Sequence, residues 1–202
     1  ARNQVDPNKL KQAYYDIQRN MKLSLLVHLL KNRKGGLVMI FCNTRRNTDF
    51  VVKNLKNNKI NAIAIHGGLS QNKRTMTIGL FNQTKVNVLV CTDVAARGLH
   101  IDNVSHIYNY DIPKEPKDYV HRIGRTARVE EEGQVINILC DYDYENFAKI
   151  QDEYRVFIIE KLEKPYLERV IAIRDNFRNN GFRNGNSRKF GNGRKQSNFR
   201  MR

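Results

Sequence analysis

The sequence predicts an α/β domain in which a mostly parallel sheet is covered by helices on both faces. Short runs rich in Val and Ile alternate along the chain with longer amphipathic segments, and the short runs are apolar at nearly every position. A strand that is buried on both faces has this continuous apolar character, whereas a strand with one solvated face alternates apolar and polar residues. The 202 residues, 40% of them hydrophobic, suffice for one such domain and an appendage.

Seven segments are predicted as strands because they combine β-branched residues with apolar character. The predicted buried strands are Leu37–Cys42, Ile60–Ile65, Val86–Cys91, Val104–Tyr110 and Val135–Cys140. The predicted edge strands are Ala13–Ile17 and Phe157–Ile159.

Five segments between the strands place apolar residues at helical spacing. In Met21–Leu30, the side chains of Leu23, Leu26, Val27 and Leu30 fall on one face. The other predicted helices are Thr44–Asn57, Gln71–Phe81, Asp118–Arg125 and Tyr144–Tyr154.

The net charge of +16 is unevenly distributed, which predicts a domain over residues 1–168 and a basic tail over residues 169–202. Tyr166–Ile173 is expected to form a last helical turn or two. The tail holds 10 Lys and Arg against one acid, and it has too few apolar groups to fold alone. Four phenylalanines alternate with its cations, at positions 177, 182, 190 and 199. Because aromatic rings stack on bases and cations follow the phosphates, we expect a disordered RNA-binding tail rather than an inert one.

Other classes of protein fit the sequence poorly. No apolar run approaches the ~18 residues of a membrane span, and no signal-peptide pattern opens the chain. Cys42, Cys91 and Cys140 are odd in number, lack CxxC spacing and each end a predicted strand. They are therefore expected to be buried, reduced thiols in a cytoplasmic protein, and no metal site is predicted.

Candidate functional residues follow the strands directly, where a parallel sheet gathers its ligands. They are Asn43–Arg46, His66–Gly68, Thr92–Gly98 and Asp111–Pro113. The segment from His121 to Arg128 adds three arginines and a histidine within eight residues. Guanidinium groups stay charged and bind phosphate bidentately, so this segment predicts a phosphate site, with a solvated basic helix face as the alternative.

Residues from about 12 to 162 resemble the second RecA-like domain of DEAD-box RNA helicases, a three-layer α/β sandwich. Ile40–Thr44 resembles motif IV of that family, and Gln71 with Arg74 resembles its QxxR element. Thr92–Gly98 resembles motif V, and His121–Arg128 resembles motif VI, HRxGRxxR. The four motifs occur in the order that the family has.

The resemblance implies that ATP lies in a cleft between this domain and an N-terminal RecA-like domain that holds Mg²⁺. Arg125 and Arg128 would be arginine fingers, and His121 would contact the partner domain. Gly98 and His100, with the two fingers, would bind ATP. Whether Arg122 contacts a ligand, the other domain or only its own domain remains open.

The resemblance also implies that single-stranded or duplex RNA is held by its sugar-phosphate backbone. The matching positions are Thr44, Arg45, Gly67, Gln71, Arg74, Thr92 and Arg97. Arg45 together with Arg46 could instead be a solvated helix start.

The sequence departs from the family at two positions. His100 stands where the family usually has an aspartate that binds the ribose, and Asp102 is the next acid. Ala127 replaces a common glycine and is expected to be harmless. Neither GxxxxGK[ST] nor Asp-Glu-Ala-Asp occurs.

We therefore expect the chain to be the C-terminal half of a monomeric ATP-dependent RNA helicase that unwinds duplexes locally, and to be inactive as an ATPase alone. The alternatives are a non-catalytic RNA-binding or annealing module and a superfamily 2 DNA translocase.

Overall fold

A single sheet of seven parallel strands organises the computed structural model, which describes residues 10–99, 101, 104–126 and 133–174. The strands are β1 (Leu10–Asp16), β2 (Leu37–Phe41), β3 (Ala62–Ile65), β4 (Val88–Cys91), β5 (Val104–Asn109), β6 (Gly133–Leu139) and β7 (Ile159–Leu162). Their order is β3-β4-β2-β5-β6-β1-β7, and every neighbouring pair is parallel. The predicted parallel sheet is confirmed.

Helices cover both faces of the sheet, so the predicted three layers are confirmed. The helices are α1 (Lys22–Asn32), α2 (Arg45–Asn57), α3 (Gln71–Asn82), α4 (Asp93–Ala96), α5 (Pro116–Ile123) and α6 (Tyr144–Glu153). α1 and α2 pack on the face that carries Val38 and Ile40, and α3 to α6 pack on the face that carries Met39 and Phe41. Alternate residues of one strand thus enter two separate cores, which explains why the whole strand is apolar.

The position of β1 differs from the prediction. Ala13–Ile17 was expected at an edge, but β1 lies between β6 and β7, and only β7 is the edge strand on that side. The prediction was wrong because both neighbours of this strand, β6 and β7, come more than 100 residues later in the chain. The strand also begins earlier than predicted and includes the polar Gln12. The Gln12 side chain is buried and accepts a hydrogen bond from the Tyr119 hydroxyl (2.8 Å).

The segment after β7 also differs from the prediction. Tyr166–Ile173 is not helical but runs without regular structure over the outside of α1 and α2. The Val170 N–H donates to Ser24 Oγ (3.0 Å), and the Asn54 amide pairs with both backbone groups of Ile173 (2.7 and 3.0 Å). Side chains of the helices thereby satisfy backbone groups that a helix would have satisfied internally.

The three cysteines are buried free thiols, as predicted. Burial raises the pKa of the Cys140 thiol to about 11 and raises those of Cys42 and Cys91 further above their usual range. Near Cys140, Lys22 and Asp143 form a fully buried ion pair with an N–O distance of 2.7 Å.

Two further expectations concern membranes and the tail. Within the described ranges, no helix combines the length and the apolar character that crossing a bilayer requires. The predicted tail from residue 175 onward lies outside the described residues, as do His100, Asp102, Ala127 and Arg128.

Candidate functional site

The carboxyl edge of the sheet collects the candidate residues that the sequence indicated. Asn43 and Thr44 follow β2, His66 and Gly67 follow β3, and Thr92 follows β4, where it also precedes α4. The loop after β5 leads through Asp111 to α5, whose first residue is Pro116. Proline is favoured in a first helical turn because its ring presets the backbone angle and its missing N–H is not needed there.

Arg122 on α5 is the centre of this edge. It is 1% exposed, and each of its five N–H donors has an acceptor. Nε and Nη2 donate to the two carboxylate oxygens of Asp93 (2.7 and 2.8 Å). Nη1 donates to Asn109 Oδ1 (3.0 Å) and to the Asp111 carbonyl (2.6 Å), and Nη2 also donates to Asn43 Oδ1 (3.0 Å).

The bonds of Arg122 decide the role that the sequence left open. A guanidinium with five satisfied donors has none left for a ligand, and its Cζ stands over the Phe41 ring, 5.0 Å from the ring centroid. The Asp93 carboxylate offsets its charge in a bidentate pair. Arg122 therefore makes a contact within its own domain, joining motif VI to motifs IV and V.

Asp111 extends this network to the start of α2. Its Oδ2 accepts from the Asn43 backbone N–H (2.9 Å) and from Asn47 Nδ2 (2.6 Å). The Asn47 N–H donates in turn to Thr44 Oγ1 (3.0 Å), which caps the helix. Thr44 and Arg45 are thus held by the same network that holds α5.

A pocket beside Arg122 brings together three residues that were predicted to have different roles: Arg125 to bind ATP, His121 to contact the partner domain and Arg97 to bind RNA. Its walls are Phe41, Asp93, Ala96, Arg97, Asp118, His121, Arg122 and Arg125. Arg125 Nη1 donates to the Leu99 carbonyl (2.9 Å), which follows the turn at Gly98. Gly98 has φ +75°, a conformation that favours glycine, and this turn points the Leu99 carbonyl at Arg125.

Arg97 and His121, two further residues of the pocket, approach the same carboxylate. Asp118 Oδ1 lies 2.5 Å from Arg97 Nη2 and 3.7 Å from His121 Nδ1. The side chains of Arg97 and His121 are 52% and 58% exposed, in contrast to Arg122. Asp118 was not among the predicted site residues, although its position three residues before His121 on one helix was a usable signal.

A second group, predicted to bind RNA, lies at the ends of β2 and β3. The Arg45 guanidinium covers Gly67 so closely that a Cβ there would stand 2.8 Å from Nη2. His66, which is 7% exposed, accepts from the Gly68 N–H at Nδ1 (3.1 Å) and donates from Nε2 to Asp49 Oδ1 (2.9 Å). His66 and Asp49, which the sequence did not single out for this role, thereby fix the turn that Arg45 covers.

The remaining predicted RNA contacts lie near this group. Thr92 is largely buried, and its N–H donates to the Ile65 carbonyl at the end of β3 (3.4 Å). Gln71 and Arg74 are one turn apart at the start of α3, where Gln71 is exposed. Arg74 Nε is buried and finds no hydrogen-bond partner among the described residues. The structure thus brings Arg45 and Gly67 into contact and leaves Gln71 and Arg74 on the neighbouring helix.

Within the same described ranges, no cluster of three or more His, Cys, Asp or Glu side chains is placed to hold a metal ion.

Comparisons with known proteins give the family to which the chain is similar. Residues 21–130, more than half of the chain, match the family model described as the helicase conserved C-terminal domain. The RNA helicase DDX47 of Homo sapiens is 41% identical over 143 residues, which cover 71% of this chain and 31% of that protein. The ATP-dependent RNA helicase RhlB of Xanthomonas oryzae is 38% identical over 154 residues, covering 76% and 26%.

Solved structures give the same result. The DEAD-box protein SrmB of E. coli, solved with the regulator of ribonuclease activity A, superposes with a TM-score of 0.73 at 35% identity. The superposition covers 77% of this chain and 91% of the matched chain in that structure. Dbp5 of S. cerevisiae bound to RNA and ADP BeF3 gives 0.72 at 29% identity, covering 76% and 41%.

The fold and the motifs at its carboxyl edge define a RecA-like α/β domain of the helicase type. The chain belongs to the helicase conserved C-terminal domain family, in which its relatives and structural neighbours make it the C-terminal RecA-like domain of a DEAD-box RNA helicase. It spans about a third or less of the length of the curated relatives that it matches.

Proposed function

We propose that this domain completes an ATP site and an RNA site in an ATP-dependent RNA helicase whose N-terminal RecA-like domain provides the phosphate loop and holds Mg²⁺. The observation that carries the proposal is the pocket beside Arg122. It presents Arg97, His121 and Arg125 around one opening, while Arg122 is fully occupied in holding the walls.

In this proposal Arg125 is the arginine finger. It lies three residues after a rigidly held arginine, and one of its donors goes to the neutral Leu99 carbonyl. A carbonyl is a weaker partner for a guanidinium than a phosphate oxygen, so exchange of partner favours an ATP phosphate. Arg125 then stabilises charge that develops on the γ-phosphate, which is worth ~10³–10⁵ in rate for such fingers. Arg128, Gly98 and His100 belong to the same proposed ATP site.

His121 is proposed to contact the partner domain. Its side chain is more than half exposed on the pocket wall and stands 3.7 Å from Asp118. An imidazole can donate and accept a hydrogen bond, so it can report whether the two domains have closed.

RNA is proposed to lie along the second group, from α2 to α3. Thr44, Arg45, Gly67, Gln71, Arg74, Thr92 and Arg97 form the proposed contacts. The close approach of Arg45 to Gly67 supports the proposal, because a glycine lets a phosphate come near the backbone and the guanidinium at once. Contacts of this kind go to phosphates and sugars, so the binding is largely independent of base sequence.

ATP and RNA are proposed to act together through domain closure. Each ligand binds the closed arrangement better than the open one, and that difference in affinity couples RNA binding to hydrolysis. Arg97, which is part of motif V and lines the pocket, belongs to both proposed sites.

The experiment is steady-state ATP hydrolysis by the two-domain parent, with single-stranded RNA, with DNA of the same sequence and without nucleic acid. Strong stimulation by RNA alone supports the proposal, and equal stimulation by DNA favours a translocase on DNA. Folded parent that binds RNA but never hydrolyses ATP favours an RNA-binding or annealing module. The isolated domain, assayed beside it, is expected to show no turnover.

A further inference from the structure

A row of buried polar side chains crosses the sheet behind the pocket. Asn109 on β5 and Asn137 on β6 are register partners, and Gln12 lies on the next strand, β1. All three are 5% exposed or less, and they share a face with Met39, Ile107 and Val135, which are fully buried apolar residues. Tyr119 of α5 is also fully buried and covers the row from the helix side.

These side chains form one continuous chain of hydrogen bonds that begins at Arg122. Arg122 donates to Asn109 Oδ1, and Asn109 Nδ2 donates to Asn137 Oδ1 (2.8 Å). Asn137 Nδ2 donates to the Tyr119 hydroxyl (3.2 Å), which donates to Gln12 Oε1 (2.8 Å). Asn137 Nδ2 also donates to the Ala13 carbonyl (3.1 Å).

The chain of bonds has a fixed direction. A guanidinium carries donors only, so Asn109 must present its oxygen to Arg122 and its amino group to Asn137. The Ala13 carbonyl is an acceptor only, and it independently fixes the amide of Asn137 in the same sense. Reversing either amide would place like groups face to face in a buried site, which is unfavourable because neither could turn to water.

This chain of hydrogen bonds therefore holds α5 at two points. Arg122 and Tyr119 are three residues apart on this helix, and both are tied to the sheet by the same bonds. Arg125 follows the last residue of this helix by two positions and lines the pocket. A rotation or shift of α5 would break bonds at both points together.

We propose that Asn109, Asn137 and Tyr119 are positioning residues that set Arg122 on α5, and Arg125 just after that helix, at the proposed nucleotide pocket. None of the three lines the pocket itself, so they act through Arg122 and through the helix. The catalytic consequence rests on the proposed function, whereas the positioning of Arg122 does not.

The central variant is Asn137→Leu, in which a side chain of nearly the same shape removes every bond that Asn137 makes. In the two-domain parent, kcat with saturating RNA falls between about tenfold and 10²-fold, as small misplacements of catalytic groups produce. KM for ATP stays within about twofold, because ground-state contacts are kept. The control is Ile138→Val, the next residue on β6, which is fully buried in the opposite core and leaves kcat unchanged within the same margin.

A second measurement reports on the hydrogen bonds of Arg122 directly and needs no ATP. Hydrogen exchange of the Arg122 Nε–H, followed by NMR, becomes about tenfold faster in Asn137→Leu than in the Ile138→Val control, since a loosened guanidinium meets water more often. If Asn137→Leu does not fold, Tyr119→Phe takes its place, because it deletes one hydroxyl and keeps the ring.

The outcomes separate the two proposals. Faster exchange with a lower kcat supports both, and faster exchange in a parent without ATPase activity supports the positioning while overturning the proposed function. The Asn137→Leu variant could instead leave both the exchange rate and kcat unchanged, with a loss of thermal stability like that of the Ile138→Val control. That result would show that the hydrogen-bonded side chains only pack the core.

Discussion

Arg122 and Arg125 lie three residues apart in one motif, yet they occupy opposite environments. Arg122 is 1% exposed and gives all five donors to its own domain, including two to the Asp93 carboxylate. Arg125 lies on the wall of the pocket and donates to a neutral carbonyl. One arginine of the pair builds the site, and the other is the one that we propose for the ATP phosphate.

The comparison teaches that the role of an arginine depends on the hydrogen-bond acceptors around it and not on the residue type alone. A buried guanidinium is tolerated only where acceptors match its geometry and a carboxylate offsets its charge. Arg122 meets that condition through residues of α4 and β5 and of the loops that follow β2 and β5. Substitutions that separate stability from turnover can therefore test the contrast between Arg122 and Arg125.

The largest expected effect is that of Arg125→Ala on turnover. We expect kcat of the two-domain parent to fall by ~10³–10⁵, because a finger acts on charge that appears in the transition state. ATP affinity, measured by titration of a fluorescent analogue, and the free energy of unfolding are expected to stay near wild type. Arg155→Ala, at an exposed arginine before β7, serves as the control. A kcat within tenfold of wild type would remove the finger assignment.

Arg122→Ala is expected to act on stability instead. Removing one partner of a buried ion pair leaves Asp93 and Asn109 without their donor, so the free energy of unfolding falls by about 3–5 kcal/mol. Arg122→Lys keeps the charge but has three donors for five acceptors, so it recovers only part of the loss. Urea denaturation of the chain measures both. A loss under about 1 kcal/mol, typical of an exposed arginine, would contradict the structural role.

Gly67→Ala tests the second group. The added Cβ would stand 2.8 Å from Arg45 Nη2 and displace the guanidinium, so RNA affinity is expected to fall about tenfold, the value of one charge-assisted hydrogen bond. Gly79→Ala on α3 is a matched control, since nothing lies within 4 Å of its new methyl group and alanine favours a helix. Fluorescence anisotropy with labelled single-stranded RNA gives both affinities, and equal values for the two variants would refute the role of Gly67.

Truncation after Arg174 tests the basic tail while keeping the segment that docks on α1 and α2. The slope of log affinity against log salt is expected to decrease by ~0.7 for each phosphate contact that the tail makes with single-stranded RNA. The same slope in both proteins would make the tail a spacer.

The smallest expected effect is that of Asp118→Asn. Arg97 is half exposed, so its ion pair with Asp118 contributes no more than about 1 kcal/mol to folding. Urea denaturation measures the change in unfolding free energy, which is compared with that of Arg122→Ala. A loss of unfolding free energy as large as that of Arg122→Ala would contradict the distinction between the exposed ion pair of Arg97 and the buried bonds of Arg122.

Much of this architecture could be predicted from local patterns. The apolar runs located β2 to β6 to within about two residues, and the motifs located the carboxyl edge. Strand order could not be predicted in the same way, because the burial of β1 depends on partners such as Asn137 that are 124 residues away. The four-residue α4 is too short for a periodicity to appear.

The role of Arg122 within motif VI was equally hidden. Spacing alone makes Arg122 and Arg125 equivalent cations, and Arg122 differs only because Asn43 and Asp93, 79 and 29 residues earlier, meet it in space. The error at Tyr166–Ile173 has a related cause. Its inward residues, Val170 and Ala172, alternate as in an extended chain, and they pack on helices formed more than 100 residues before.

Because β1 lies between β6 and β7, it can join the sheet only late in the synthesis of the domain. β2 to β5 are contiguous in sequence and pair among themselves, so they can assemble while the chain is still being made. β1 emerges first, yet its partner β6 is translated more than a hundred residues later. Until then its Gln12 side chain and its backbone have no partner in the sheet, and the exposed strand is open to pairing with another chain. The last strands to be made thus protect the first, and a nascent chain stalled before β6 would be the form most prone to aggregation.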